Sequence, residues 1–234
     1  HEVNLGGTAV GNGISASRTY QEAVYEHLNA LTGLDVRPAA NLMSQTSSQT
    51  DFVHLSMLIK LLFIDLSKIA TDLRVLSSGP RGGLGEVTLE ARQPGSSIMP
   101  GKINPVIPEY INQVYYDLSG KNLTMEHAAE GAILELGIMF PVLADSIISS
   151  VKIATDAVRK FKEACIDTLT FNEDRCRENL EQSTAYATLL VPKLGYDKVS
   201  VCVKKAVKDG RTLREVVLEE HLMDEQEFDA LTRW

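Results

Sequence analysis

From Thr50 to Ser78 the chain holds neither glycine nor proline, and Phe52, Leu55, Leu58, Ile59, Leu62, Leu66, Ile69 and Leu73 recur in it at helical spacing. Such a run predicts one unbroken helix, roughly 40 Å long at 1.5 Å per residue. Its apolar stripe is too wide to bury within a small single domain, so other long helices have to pack alongside it. Val106 to Leu118 and Pro141 to Cys165 read as such partners, the second through Val142, Leu143, Ile147, Ile148, Val151 and Ile153. Ser17 to Leu31 reads as a shorter amphipathic helix. Strand signals are nearly absent, because the β-branched runs follow helical rather than alternating periodicity.

The predicted fold is therefore mainly α. A long-helix bundle occupies 1–169, and a small C-terminal helical domain occupies 170–234, the boundary falling near Leu169 to Asn172. Beyond Thr170, Pro192, Gly195 and Gly210 separate short helices, Thr212 with Glu215 forms a capping-box pattern, and Asp224 with Glu227 resembles one.

Composition excludes several classes of function. With 44% hydrophobic and 23% charged residues the chain is an ordinary globular one with a sizeable core. Lys and Arg number 23 against 31 Asp and Glu, and the net charge of −8 argues against a dedicated nucleic-acid binder. No apolar run approaches the ~18 residues that span a bilayer, and no secretory pattern opens the chain. Cys165, Cys176 and Cys202 are odd in number and widely spaced, which suggests neither a zinc site nor a disulfide framework and fits a reducing cytoplasm. Gly6 to Gly13 superficially resembles a phosphate loop, but no Lys-Ser or Lys-Thr follows, so nucleotide binding is rejected.

Gly79 to Gly101 shows neither helix nor strand pattern, and structureless loops beyond ~15 residues usually bind or catalyse. The stretch 79–104 is accordingly the expected active-site loop. It ends in Gly95-Ser96-Ser97-Ile98-Met99-Pro100-Gly101-Lys102-Ile103-Asn104-Pro105. Here glycines permit close approach, consecutive serines offer hydroxyls and backbone N–H groups to a carboxylate or oxyanion, and Lys102 adds positive charge. Asn104 and Pro105 read as the cap and first residue of a helix whose start attracts anions. On spacing alone, a surface connection that happens to carry two serines stays open.

Residue identity goes further, since Gly95 to Pro105 resembles the signature loop of the fumarase/aspartase superfamily, G-S-S-x-M-P-x-K-x-N-P, at every fixed position. Leu5 to Gly11, Ser77 to Arg81 with Gly83, and Val114 to Asn122 as a helix end resemble further segments of that family. The resemblance starts at His1, in mid-motif, and implies the C-terminal half of a longer protein. It implies a homotetramer with a shared helical core, active sites assembled from several subunits, no required cofactor (divalent-cation activation being an option), a small dicarboxylate or amino-acid substrate, and no membrane or nucleic-acid partner.

By motif position Ser96 corresponds to the general base, an alkoxide on a mobile loop. Ser97 corresponds to a donor to the aci-carboxylate, and Met99 to a residue lining the site. Lys102 and Asn104 correspond to groups holding the other substrate carboxylate. Glu109 corresponds to a glutamate that orients a histidine, and none of His1, His27, His54, His127 or His221 sits in a matching motif. Val106 to Val114 and Gly210 to Glu219 resemble aspartate ammonia-lyases more than fumarases. The implied reaction is elimination of ammonia from L-aspartate to give fumarate; dehydration of malate to fumarate, or an inactive structural or binding fragment, are the alternatives. Two departures from the family pattern, Gly137 for Asn after Glu135-Leu136 and Asn12 for Thr, leave an unusual amino-acid substrate open.

Overall fold

The computed structural model describes residues 1–232, and among them ten helices carry nearly all the regular structure. In chain order these are α1 (Arg18–Thr32), α2 (Leu42–Ser47), α3 (Thr50–Leu76), α4 (Val106–Glu130), α5 (Phe140–Ala164), α6 (Glu173–Gln182), α7 (Val191–Leu194), α8 (Tyr196–Asp209), α9 (Leu213–Glu219) and α10 (Glu225–Thr232). Two 3₁₀ helices (Ile166–Thr168 and Ala185–Leu190) and four two-residue strands complete it. β1 (Glu2–Val3) pairs in parallel with β2 (Arg37–Pro38), and β3 (Val87–Thr88) pairs antiparallel with β4 (Thr170–Phe171).

The chain forms two compact units, one of His1–Asp72 with Arg92–Asp167, the other of Leu73–Ala91 with the chain from Thr168 onward. In the first unit α1 starts where Ser17 Oγ accepts from Tyr20 N–H, and stops at Gly33 in the left-handed region. α4 and α5 pack as an antiparallel hairpin across the turn at residues 131–139. Their buried faces include Ile111, Leu118 and Met125 on one side and Leu143, Ala157 and Phe161 on the other. α4 continues past Leu118, where the sequence pattern ended it. A glycine inside a helix costs about 1 kcal/mol, and at Gly120 the burial of Asn122, Met125 and Ala128 in the next turns offsets that cost.

α3 forms as the glycine-free run predicts, but it turns a different face inward from the one its leucines mark. Phe63, Ala70, Ser56 and Ser67 are buried, whereas Leu58 and Leu62 are each 52% exposed. A polar seam joins α3 to α4. Asn112 Nδ2 donates to Ser67 O (2.9 Å), Ser67 Oγ (2.8 Å) and Thr71 Oγ1 (3.1 Å), while the fully buried Asn122 donates to Ser56 Oγ (3.2 Å) and accepts from Lys60 Nζ (3.3 Å). Buried amides satisfied in this way fix the register of two helices, because a slip leaves the groups desolvated and unpaired.

In the second unit the helices from α7 to α10 close over Tyr186, Leu190, Val199, Leu213, Val216 and Phe228. The capping box at Thr212 is complete, with Glu215 N–H donating to Thr212 Oγ1 and Thr212 N–H to Glu215 Oε2. At Asp224 one half is present, Glu227 N–H donating to Asp224 Oδ1 (2.8 Å). Leu73–Ala91, grouped with the bundle on sequence, belongs to this unit because α6 holds it. Arg175 Nε and Asn179 Nδ2 both donate to Leu84 O, and Asn172 Nδ2 donates to Gly85 O (2.6 Å). Within the long stretch 79–104, residues 79–91 pack in the second unit and 92–104 in the first.

Candidate active site

The signature loop leaves the bundle at Arg92, whose Nε donates to Ala164 O (3.1 Å) in the last turn of α5. Two hydrogen bonds then close its neck: Gly95 N–H to Lys102 O (2.9 Å) and Asn104 Nδ2 to Gly95 O (3.0 Å). Only glycine fits at position 95, since a Cβ there would lie 2.3 Å from Lys102 O and 2.7 Å from its carbonyl carbon.

The neck also corrects the expected helix start. α4 begins at Val106 with Pro105 as its N-cap and without a side-chain cap. Asn104 is not the cap: Pro105, at φ −77°, ψ 63° and so outside helical geometry, takes that position, and the Asn104 side chain is turned to donate through Nδ2 to Gly95 O. Val106 N–H is spent on Asn104 O, and Pro108 has no N–H to give. The helix start therefore offers an anion little, and the donors of the region lie in the loop.

Within the loop Ser96 Oγ accepts from two backbone groups, Ile98 N–H at 3.2 Å and Met99 N–H at 3.1 Å. Ser96 is half-buried, whereas Ser97, Met99 and Lys102 are exposed. Hydrogen bonds to an oxygen favour its ionised form, so the two N–H groups lower the energy of a serine alkoxide relative to the hydroxyl. Lys102 makes no ion pair among the described residues, which leaves its ammonium available to an incoming anion. Glu109 lies one turn beyond the neck, half-buried, and its carboxylate likewise has no ion-pair or histidine partner among the described residues.

The structure thus gathers Ser96, Ser97, Met99, Lys102 and Asn104 on one closed loop, and sets Glu109 in the first turn of α4. The backbone donors of Ile98 and Met99 and the anchor Arg92 escape a reading of side chains. The available signal was the serine itself, whose hydroxyl commonly binds N–H groups two and three residues on.

Comparison with known proteins gives the family. A family model described as "Lyase" matches residues 1–120, just over half of the chain, and one described as "Fumarase C C-terminus" matches 187–234. The chain belongs to the fumarase/aspartase superfamily of lyases. Aspartate ammonia-lyase of Pseudomonas aeruginosa is 46% identical over 224 residues, covering 96% of this chain and 47% of that protein. A fumarate lyase:delta crystallin structure from Brucella melitensis bound to cobalt superposes with a TM-score of 0.90 at 42% identity, over 98% of this chain and 50% of the other. Class II fumarase from Schistosoma mansoni superposes at 0.89 and 31% identity, over 99% and 52% of the two chains. The chain spans about half the length of the relatives it matches. Cobalt belongs to the Brucella structure; among the described residues here no three His, Cys, Asp or Glu side chains gather in a metal-holding group. No helix is long and apolar enough to cross a membrane, again among the described residues.

Proposed function

We propose that this chain supplies the base-bearing loop of an ammonia-lyase, and that the native-length protein converts L-aspartate to fumarate and ammonia. The observation that carries this is the Ser96 oxygen held by two backbone N–H groups inside the superfamily loop. Ser96 as alkoxide takes the proton from the carbon beside a substrate carboxylate, and the C–H electron pair moves into that carboxylate to form an aci-carboxylate. Fixed donors are needed where that charge develops; the Ser97 hydroxyl provides one. The electron pair then returns to form the double bond as the C–N bond breaks and the amine departs as ammonia. Lys102 holds the other carboxylate. Asn104 helps with the N–H that the neck leaves unused, since a side-chain amide has two donors. Met99 lines the site, and Glu109 supports it by orienting a histidine supplied from outside this segment. Residues beyond this half complete the set.

The leucines that α3 leaves exposed support a homotetramer with sites shared between copies. Leu55, Leu58, Leu61 and Leu62 are 46–56% exposed on a helix that is apolar nearly all round, the character of a helix covered by other helices. Three free thiols fit a reducing, cytoplasmic setting.

The test is fumarate absorbance from aspartate and, separately, from malate, using the native-length protein and its Ser96→Ala variant. General-base loss lowers kcat by about 10²–10⁴-fold. Turnover of malate but not aspartate overturns the ammonia-lyase reading in favour of a hydratase, which the fumarase C-terminal match makes the second reading. An unaffected Ser96→Ala variant refutes the base.

A further inference from the structure

The loop that carries Ser96 stands on two feet, and both rest on the same end of the α4–α5 hairpin. At its exit the backbone passes through Pro105 straight into the first turn of α4. At its entry a side chain does the holding, Arg92 Nε donating to Ala164 O (3.1 Å) on the last residue of α5. The two helices run antiparallel, so the end of α5 lies beside the start of α4, where the Lys160 ammonium sits over the Tyr110 ring, 5.7 Å from its centroid. The loop is therefore an arch that crosses from one helix to the other.

Between the feet the loop holds on to itself. Lys102 N–H donates to Met99 O (3.3 Å), Ile98 and Met99 N–H donate to Ser96 Oγ, and the neck bonds join Gly95 to Lys102 and Asn104. Among the described residues no hydrogen bond or ion pair ties 95–103 to a helix. Where this unit stands is thus decided at its ends. The exit is fixed by backbone continuous with a packed helix. The entry rests on Ala164 O, one of the terminal carbonyls that a helix leaves without an internal partner, at the negative end of the helix dipole; a guanidinium suits both. Only Gln93 and Pro94 separate Arg92 from Gly95, and the proline ring fixes one of the few torsions between them. A shift at Arg92 is therefore passed to the neck.

We propose that Arg92 is a positioning residue: its hydrogen bond to α5 sets where the arch presents Ser96 and Ser97, while its own side chain stays on the helix and meets no reacting atom. The assignment rests on the reading of Ser96 as the base.

Arg92→Ala removes the donor, whereas Arg92→Gln keeps one, because glutamine Nε2 follows Cδ as arginine Nε does. Both are compared with the parent in the native-length protein, by fumarate absorbance from aspartate and from malate and by limited digestion with a lysine-specific endoprotease. Arg92→Ala should lower kcat about tenfold or more, since small displacements of a reacting group are costly. It should also speed cleavage after Lys102 by about tenfold, because a freed arch can extend into a protease cleft. Arg92→Gln should recover at least about a third of the parent kcat, together with the slow cleavage of the parent. Tm should move by no more than about 2 °C, as Arg92 is exposed. An unaltered kcat, unaltered cleavage, a glutamine variant as impaired as the alanine one, or a rate loss matched by a larger fall in Tm each overturns the assignment. If the parent makes fumarate from neither substrate, the lyase reading fails, while the cleavage rates still decide whether Arg92 holds the arch.

Discussion

Replacing Gly95 by alanine separates the geometry of the loop from its chemistry, because no reacting side chain is altered. The added Cβ would lie 2.3 Å from Lys102 O. Non-bonded contacts settle near ~3.5 Å, so the neck has to part by about 1 Å. The atoms in the way are backbone, and no rotamer change relieves them. Parting the neck weakens the Gly95–Lys102 and Asn104–Gly95 hydrogen bonds, each worth about 0.5–1.5 kcal/mol. Folding should lose little of this, since the loop is largely exposed and water replaces the lost partners. Catalysis should lose much more: Ser96, Ser97 and Lys102 all hang from the neck, and a misplacement of about 1 Å costs on the order of 10²-fold in rate. The assay is steady-state fumarate formation by the native-length Gly95→Ala variant, with circular-dichroism melting as the fold control. We expect kcat to fall about 10²-fold while Tm moves by no more than about 2 °C. A kcat within about threefold of the parent would refute the claim that the closed neck sets the geometry of the base.

Gly137→Ala should destabilise the first unit by about 1–3 kcal/mol through overpacking against Gln49, and Gln49→Ala should recover part of that loss in a urea-unfolding double-mutant cycle. Additive effects would count against the interlock. Asn112→Leu leaves Ser67 and Thr71 without their donor in the seam between α3 and α4, and should cost at least about 1–3 kcal/mol in the same assay. Leu61→Lys with Leu62→Lys should shift the assembly toward smaller species in light scattering, with circular dichroism unchanged. Burial pushes the Cys165 and Cys202 thiols up, so iodoacetamide should label Cys176 first in peptide mass mapping. The same shift has a sign for stability. A thiol that ionises later when folded contributes fully below the unfolded pKa of ~8.5, and its contribution is lost as pH rises above that value.

Much of the fold was legible in the residues, and the parts that were not share a cause. α1, α3 without a helix breaker and the Thr212 capping box are set by neighbours a few positions apart, so local rules recover them. The end of α4 was read too early, because the penalty of Gly120 is local while the burial that outweighs it depends on α5. Asn104 reads as a helix cap by residue type, yet its amide goes nine residues back to close the loop, a contact that spacing rules do not encode. The placement of Leu73–Ala91 escapes a local reading for the same reason: its partners on α6 lie about ninety residues further along the chain.

What the chain determined by itself is therefore the helical class, the extents of α3 and α5 and the identity of the loop that bears Ser96, since periodicity and a contiguous motif are short-range properties. Tertiary structure alone decided three further matters. It chose the face of α3 that turns inward, polar seam rather than leucine stripe, because that depends on which helix lies opposite. It closed the loop neck by sending the Asn104 amide to Gly95 O, because a contact nine residues back is not set by neighbouring residue types. It placed Gln49 in the space left by Gly137, because residues 88 positions apart come together only once the helices pack.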